Sequence, residues 1–410
     1  MSMNQRLKWT LGIDASQANQ LRKTGVPLYA YSLVQELKRI IPQDVRVILY
    51  SPTPLEGLLA DLPVNWESKV LRWPTRKFWS QIRLAWELIW RAPDLLFVPT
   101  HILPWYCPSK AIFMVYDIGF EYKGIYGTTG EDYSGYALLR RLLAIVTKIS
   151  TRGKYQLSEQ DYHRWTIRQA LPKAAKIITI SDFTRQEMLR IYGLSDDQVW
   201  VLRDAFDITP FLGSFSQEQQ DHVCERFGIT RPFIFFVGRL ETKKNIKRLL
   251  EAFYRLKKEN KVPHQLVLAG MPGNGYPEIK ASRQGLLLES EVIETGWTSD
   301  NDTMVLMHAA EIFVFPSLYE GFGIPILLAQ ATNTPLACSD LSVMHETAGA
   351  GAVYFDPQDS RHMAEVINDL IQNKALQYDC CLAGRKNIDR FEWGLSAEKM
   401  WKMFNKIVVK

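Results

Sequence analysis

One stretch of the sequence combines an apolar run, a glycine-rich turn and the start of a helix: Glu311-Ile312-Phe313-Val314-Phe315-Pro316-Ser317-Leu318-Tyr319-Glu320-Gly321-Phe322-Gly323-Ile324-Pro325. The apolar run is typical of a buried strand. Gly321 and Gly323 can adopt positive φ, and Pro325 suits a first helical turn. The turn therefore offers one carboxylate and several backbone N–H groups at a helix N-terminus, which together can bind a sugar phosphate. An ordinary turn between a strand and a helix is the alternative.

A second unit of the same kind lies upstream, where Pro232–Gly238 is predicted as a buried strand. After the turn Gly238–Asn245, apolar residues recur at helical spacing: Ile246, Leu249, Leu250, Phe253 and Leu256. Arg239 and Lys244 fall in the turn, at the carboxyl end of a strand, where α/β sheets bind ligands. A guanidinium and an ammonium group suit a pyrophosphate. Solvated loop charges are the alternative, and for Lys243 that is the expectation.

These motifs resemble the retaining glycosyltransferases of family 4, which have the GT-B fold. The family's Gly-Arg-Leu-x-x-x-Lys-Asn/Gly loop corresponds to Gly238–Asn245, and its Glu-Gly-Phe-Gly-x-Pro segment to Glu320–Pro325. The stretches Ile177–Thr184 and Thr334–Asp340 fit the family as well. The resemblance implies an α/β protein with two Rossmann-like, doubly wound domains that face a central cleft.

The spacing of apolar runs agrees with this fold. In the second half of the chain, strands are predicted at 233–238, 264–270, 291–295, 312–315, 335–338 and 352–355. In the first half they are predicted at 9–13, 45–50, 95–98, 112–116, 176–181 and 199–202. Strands that alternate with helices indicate parallel sheets. We expect an acceptor-side domain over 1–208 and a nucleotide-sugar domain over 209–390. The last segment, 391–410, is expected to form a helix that crosses back to the first domain.

Charge and composition narrow the functional class. The chain lacks a run of eighteen apolar residues and a signal segment at Met1–Asp14, so we expect a cytoplasmic protein. Five cysteines without metal-site spacing agree with a reducing compartment and with no metal site. Residues 1–208 hold 27 Lys and Arg against 20 Asp and Glu. This excess suits an anionic acceptor or an acidic lipid surface, whereas no nucleic-acid motif accompanies it.

The segment Arg76–Arg91 adds a membrane hypothesis. Trp79, Arg83, Trp86 and Trp90 would share one face of a helix, as in helices that lie at a membrane interface. The other face, with Ile82, Ala85 and Ile89, is the expected core contact, and core packing is favoured over membrane contact. A peripheral position at the inner face of the membrane stays open.

The resemblance implies a role for each matched residue. Arg239 and Lys244 would hold the donor diphosphate, and they would stabilise the leaving group without a metal or another cofactor. Glu320 would orient a sugar hydroxyl, supported by Gly321, Phe322, Gly323 and Ile324. Gly238 would belong to the donor loop, and Trp297 would lie where the family positions the nucleotide base.

Three positions depart from the family pattern. The second glutamate of the E-x7-E motif, expected to bind the ribose, is replaced by Leu328. The His-Asp pair after the strand at 112–116 is replaced by Tyr116 and Asp117, which remain the expected catalytic pair. The N-terminal glycine loop keeps only Gly25 before Pro27, and Gly25 remains an expected donor-binding residue.

The leading hypothesis is a hexosyltransferase that uses a GDP- or UDP-sugar, with mannose as the first expectation. Its acceptor would be a surface polysaccharide or a lipid-linked glycan. The alternative is a catalytically weak relative that binds a nucleotide sugar or a partner enzyme without turnover. An epimerase or phosphorylase is disfavoured, because no cofactor lysine or epimerase acid set is recognisable.

Overall fold

The structure is a computed structural model that describes residues 7–21, 25–74, 78–107, 109–122, 124–125, 159–203, 205 and 215–409. The chain divides into two compact units. The described parts of unit 1 are the residues up to Glu121, 159–205 and Phe391 onward, and those of unit 2 are Tyr122, 124–125 and 215–390. The expected boundary between the two domains, at residues 208 and 209, lies outside the described residues.

Unit 1 is built on a sheet of seven parallel strands in the order β3-β2-β1-β4-β5-β6-β7. The strands are β1 (Trp9–Asp14), β2 (Val45–Ser51), β3 (Trp66–Val70), β4 (Leu95–Val98), β5 (Lys110–Val115), β6 (Ala174–Thr179) and β7 (Val199–Val201). Its helices are α1 (Val26–Ile40), α2 (Ala85–Trp90), α3 (Glu159–Ala170), α4 (Asp182–Tyr192) and α13 (Trp393–Val408), and a π-helical turn, Trp79–Leu84, precedes α2.

The edge strand β3 is absent from the sequence predictions. Its sequence, Trp-Glu-Ser-Lys-Val, contains no apolar run, and only Trp66 is buried. Pairing with β2 therefore defines this strand, from Val47 opposite Trp66 to Ser51 opposite Val70. The other six strands of unit 1 overlap their predicted ranges.

The C-terminal helix α13 packs on the rest of unit 1. Trp401 stacks on Trp9 at 5.7 Å between ring centroids, and Phe404 contacts Phe97 at 5.4 Å. Lys110 Nζ donates to the carbonyl oxygen of Ile407 at 2.8 Å. The last residues of the chain thus complete the core of the first sheet.

Unit 2 contains six parallel strands in the order β10-β9-β8-β11-β12-β13. They are β8 (Phe233–Val237), β9 (Gln265–Ala269), β10 (Val292–Gly296), β11 (Ile312–Phe315), β12 (Leu336–Ser339) and β13 (Val353–Phe355). Its helices are α5 (Gln217–Phe227), α6 (Ile246–Lys258), α7 (Tyr276–Gly285), α8 (Asp300–Ala309), α9 (Ile324–Ala331), α10 (Ser342–Ala348), α11 (Ser360–Gln372) and α12 (Lys374–Ile388). Every strand lies within one residue of its predicted range, which confirms the α/β doubly wound class.

The strand order places the two sequence motifs beside each other. In unit 2 the order reverses between β8 and β11, which are neighbours in the sheet. Open α/β sheets bind ligands at this kind of switch point, outside the carboxyl ends of the strands. The loop Gly238–Asn245 follows β8, and the loop Pro316–Gly323 follows β11. The fold therefore brings together segments that the sequence separates.

The segment before β4 differs from its expected packing. Trp79 is buried, whereas Ile82 and Ile89, expected in the core, are 36% and 48% exposed. Arg83 lies beside a partly buried acid, with Nη1 3.5 Å from Oε2 of Glu87. Ala85 is buried as expected, but it shares the core face with Leu84 and Leu88, because the π-helical turn changes the phase of the helix. Within the described residues, no helix is long and apolar enough to cross a membrane.

Candidate active site

The loops that follow β8 and β11 are joined by backbone and side-chain contacts. The backbone N–H of Leu318 donates to the carbonyl oxygen of Lys243 at 2.9 Å. Lys244 Nζ donates to Oε1 of Glu320 in an ion pair whose side chains are 15% and 10% exposed. Lys244 also lies 5.1 Å from the ring centroid of Phe315, at the end of β11. The predicted phosphate-binding lysine and the predicted sugar-binding glutamate thus occupy one site.

Electrostatics in this site keep Glu320 ionised. Burial raises the pKa of Glu320, but the ammonium groups of Lys244 and Lys243 outweigh it and leave this pKa below its ordinary value. Burial raises the pKa of the neighbouring Glu241, against the charges of Lys244, Lys243 and Arg239. Glu241 therefore takes up a proton more readily than a free glutamate.

Lys243 is not the solvated loop charge that the sequence suggested. Its side chain is buried, and Nζ lies 5.8 Å from the ring centroid of Tyr319. The three-residue 3₁₀ turn Thr242–Lys244 directs Lys243 into the protein. Arg239 is exposed at the start of the same loop, where it remains accessible to a ligand.

Two glycines in these loops have positive φ angles, which explains why glycine occupies these positions. Gly238 has φ 150°, and Gly323, which precedes α9, has φ 105°. Gly321 has no positive φ, so the sequence expectation is wrong there. Pro325 occupies the first turn of α9, as predicted. The carbonyl oxygen of Phe322 accepts a hydrogen bond from Thr347 Oγ1 at 2.8 Å, which helps to hold the loop in place.

A third loop, Gly270–Gly275, was missed by the sequence analysis. It follows β9, and a Cβ atom at Gly270 would lie 1.9 Å from the carbonyl oxygen of Gly238. A Cβ atom at Gly275 would lie 2.0 Å from Thr242 Oγ1. The signal was present as three glycines, at 270, 273 and 275, directly after a buried strand. Glycine is required here because two loop backbones touch.

Trp297 and Leu328 lie on either side of this centre in the fold of unit 2. Trp297 follows the edge strand β10 and is 66% exposed, so its indole is available for stacking. Leu328 is half-buried, one helical turn after the half-buried Ile324. The remaining positions between Ile326 and Ala331 are buried. Leu328 therefore belongs to the more accessible face of α9.

Unit 1 contains three of the predicted site residues, the donor-binding Gly25 and the catalytic pair Tyr116 and Asp117. Gly25 precedes α1 with φ 57°, and Tyr29, one turn later, contacts the Tyr116 ring at 5.4 Å. The Tyr116 hydroxyl donates to the carbonyl oxygen of Pro99 at 3.1 Å. Asp117 Oδ1 accepts from the backbone N–H of Gly119 at 3.0 Å. Both members of the expected catalytic pair are thus held by the loops after β4 and β5.

A histidine pair, which the sequence analysis also missed, lies beside Asp117. His101 Nε2 is 2.7 Å from His163 Nδ1, and Phe120 contacts both rings. Burial and then His163 lower the pKa of His101 to about 3, while the charge of Asp117 opposes them. His101 is therefore neutral near pH 7. Its position after β4, at the switch point of the first sheet, is the signal that could have identified it.

Comparisons with known proteins agree with this arrangement. Residues 219–387 match the family model of glycosyl transferases group 1. O-antigen chain mannosyltransferase B of Escherichia coli is 26% identical over 242 residues, which cover 57% of this chain and 61% of that protein. Alpha-maltose-1-phosphate synthase of Mycolicibacterium smegmatis is 28% identical over 276 residues, which cover 62% of this chain and 68% of that protein.

The fold comparison extends over both units. A crystal structure of Anabaena HepE in complex with UDP and glucose aligns with a TM-score of 0.67 at 17% identity, covering 97% of this chain and 99% of HepE. The chain thus has the GT-B fold of glycosyltransferases. The group 1 family match is confined to unit 2, which contains the Lys244–Glu320 pair. In the described part of the chain, His, Cys, Asp and Glu side chains form no cluster suited to a metal ion.

The contact between Gly270 and Gly238 predicts a severe effect of a single methyl group. Gly270→Ala should destabilise unit 2 by about 2–4 kcal/mol, through steric overlap and an unfavourable φ. Gly285→Ala is the matched control, because Gly285 ends α7 with open space around its Cβ position. Thermal unfolding of both variants tests this. Equal melting temperatures for the two would contradict the close backbone contact.

The lowered pKa of His101 predicts acid sensitivity. Its ordinary value is 6.5 and its value in the fold is about 3, so below pH 6.5 the unfolded chain binds a proton that the folded protein does not. Stability should therefore fall as the pH is lowered through this interval. His101→Gln should flatten the dependence of unfolding free energy on pH, whereas His222→Gln, at an exposed position, should not. Urea unfolding between pH 4 and pH 7 measures both, and parallel curves for wild type and His101→Gln would refute the assignment.

Proposed function

We propose that this protein is a retaining hexosyltransferase that uses a GDP- or UDP-sugar, with mannose as the first candidate sugar. Its acceptor would be a surface polysaccharide or a lipid-linked glycan at the cytoplasmic face of a membrane. The observation that carries this proposal is the Lys244–Glu320 pair. It lies at the switch point of the unit 2 sheet, within the region that matches the glycosyl transferases group 1 model. The names of the similar mannosyltransferases support the sugar and the acceptor class.

The diphosphate of the donor would bind over the β8 loop. Arg239 is exposed there and can bind two phosphate oxygens through its planar fork. The ammonium group of Lys244 has three donors, so it can contact phosphate while it keeps its bond to Glu320. Negative charge builds up on the leaving diphosphate as the bond to the sugar breaks, and these cations would stabilise it. This role would need no metal ion.

Glu320 would hold the transferred sugar beside that diphosphate. Its carboxylate stays ionised, and an ionised carboxylate accepts strong hydrogen bonds from sugar hydroxyls. Gly321, Phe322, Gly323 and Ile324 would present their backbone N–H groups at the start of α9. In a front-face reaction, the acceptor oxygen bonds to the anomeric carbon as the diphosphate oxygen leaves with its electron pair. The acceptor proton then passes to the diphosphate.

The nucleoside would extend from β8 across the glycine loop after β9 to the edge strand β10. The exposed Trp297 is a flat surface on which a base can stack. Gly238 and Gly270 leave the path free of side chains. Leu328 cannot accept hydrogen bonds from the ribose hydroxyls, so the donor would be held less tightly than by a glutamate.

The acceptor would bind unit 1. Asp117 and the Tyr116 hydroxyl lie after β5. The neutral His101 can accept a hydrogen bond from a sugar hydroxyl. The basic balance of residues 1–208 suits an acceptor that carries phosphate.

A second function is favoured by two observations. Leu328 lacks a carboxylate, and Tyr116 uses its hydroxyl on a backbone carbonyl. A protein that binds a nucleotide sugar without efficient turnover would tolerate both. Transfer and hydrolysis, measured over a panel of GDP- and UDP-sugars with purified protein, separate the two functions. Glu320→Gln is the control, since loss of its charge should depress transfer more than nucleotide binding.

The diphosphate assignment predicts the effects of two variants on nucleotide binding. Arg239→Ala should weaken the affinity for GDP or UDP at least ten-fold, by loss of a charge-assisted contact. Removal of Lys244 alone would leave Glu320 buried without its partner, which costs about 3–5 kcal/mol of stability. The double variant Lys244→Met, Glu320→Gln removes both charges and should fold, yet bind the nucleotide weakly. Wild-type affinity in calorimetry for both proteins would exclude this site for the diphosphate.

The position of Leu328 predicts a gain of function. Leu328→Glu should tighten donor binding about ten-fold, because the new carboxylate can accept ribose hydroxyls. It should cost little stability, since this side chain is only half-buried. Leu327→Glu is the control, because Leu327 is fully buried and a charge there should unfold unit 2. Unchanged donor affinity in a stable Leu328→Glu protein would show that the ribose lies elsewhere.

A further inference from the structure

Four apolar side chains form an exposed strip on the π-helical turn and α2, here called the tryptophan face: Ile82, Trp86, Ile89 and Trp90. Trp86 and Trp90 are 59% and 72% exposed, and their rings meet edge to face at 6.5 Å. An exposed pair of indoles beside two exposed isoleucines is unusual on a soluble surface. It indicates a surface that another phase or molecule covers.

The tryptophan face is not needed for packing within unit 1. The opposite side of the same segment is already anchored in the core by Trp79, Leu84 and Leu88. Trp79 Nε1 donates to the buried carbonyl oxygen of Leu71 at 2.7 Å. A helix that is apolar on both sides packs against an apolar neighbour on each side. The sheet of unit 1 covers one side of this segment, and the tryptophan face is available to a second neighbour.

The segment that carries the tryptophan face is rich in positive charge. Residues 69–91 hold six Lys and Arg and one acid, Glu87. Glu87 is already neutralised, with Oε1 2.5 Å from Lys69 and Oε2 3.5 Å from Arg83. Arg72 and Arg91 are exposed, and neither has an acidic partner among the described residues. The segment therefore carries an excess of five positive charges, equal to that of the whole chain.

The exposed indoles and the positive charge together favour an anionic bilayer as the partner that covers the tryptophan face. A second copy of the chain would bring the same positive segment against itself across a two-fold axis, which is repulsive. An anionic bilayer offers negative headgroups to the arginines and an interfacial layer in which indole rings are favoured. Amphipathic helices with cations and tryptophans bind bilayers in this way.

The helix also begins at the functional end of the first sheet. Ser80 Oγ donates to Asp14 Oδ2 at 2.9 Å, at the carboxyl end of β1. Gln81 Nε2 donates to the Tyr162 hydroxyl at 2.5 Å, next to His163. A bilayer that covers the tryptophan face would therefore lie near the strand ends where the acceptor is proposed to bind.

We propose that the tryptophan face docks unit 1 onto the surface of an anionic bilayer, with Trp86 and Trp90 in the interfacial layer and Arg72 and Arg91 on lipid headgroups. Its use for lipid-linked acceptors rests on the proposed function. Docking itself does not, because it can be measured without any substrate.

Co-sedimentation of the full chain with vesicles tests the proposal. Wild type should bind vesicles of equal parts phosphatidylcholine and phosphatidylglycerol, and salt should weaken this binding. It should bind pure phosphatidylcholine vesicles at least ten-fold less. Trp86→Ala, Trp90→Ala should reduce binding to the acidic vesicles at least ten-fold and keep the wild-type melting temperature. Tyr378→Ala, which removes an exposed aromatic ring from unit 2, should bind as wild type does.

Paired charge variants separate docking from general attraction. Arg72→Gln, Arg91→Gln should weaken binding to the acidic vesicles about ten-fold. Lys399→Gln, Lys402→Gln removes equal charge from a groove between β7 and α13 and should leave binding near wild type. Equal losses for the two pairs would overturn the proposal. So would full binding by the double tryptophan variant, or a wild-type dimer that this variant converts to a monomer without any vesicle binding.

Nucleotide binding distinguishes this proposal from the proposed function. The double tryptophan variant should keep the wild-type affinity for GDP and UDP in calorimetry. Binding to vesicles without any sugar transfer would support the docking proposal and contradict the proposed transferase function. Sugar transfer to a soluble acceptor without any vesicle binding would support the transferase function and contradict the docking proposal.

Discussion

The ion pair between Lys244 and Glu320 sets the arrangement of the candidate donor site. Its two members come from loops 76 residues apart in the sequence. They meet because β8 and β11 are neighbours in the sheet, although β9 and β10 separate them along the chain. A buried pair of this kind contributes little net stability, but loss of one partner is costly. The pair therefore fixes the position of both loops, and each loop then places its own N–H groups and cations.

The sequence predicted the strands of unit 2 and the turns that follow β8 and β11, because buried parallel strands are continuous apolar runs and glycine-rich turns follow them. It failed where tertiary contacts decide the outcome. The polar strand β3 exists only through pairing with β2. Lys243 is buried because it lies in a 3₁₀ turn that the sequence pattern does not predict. The place of Gly270 in the site depends on its close contact with Gly238, which the sequence pattern does not predict.

The two units differ in how closely they follow the family pattern. Unit 2 contains the whole of the matched region and both characteristic loops. Unit 1 contains the departures at Gly25 and Tyr116, together with the His101–His163 pair. A nucleotide diphosphate presents the same chemistry to many enzymes, so its site can remain constant. Acceptors vary, and the unit that is proposed to bind them varies accordingly.

The π-helical turn Trp79–Leu84 controls the rotational phase of everything that follows it up to Trp90. Each residue of an α-helix advances the chain by about 100°, since 3.6 residues complete a turn. A turn shorter by one residue would rotate α2 by that angle. Leu88 would move away from the sheet, and Trp86 would leave solvent. The character of this surface is thus encoded by the length of one turn as well as by its composition, and insertions or deletions there are more consequential than substitutions.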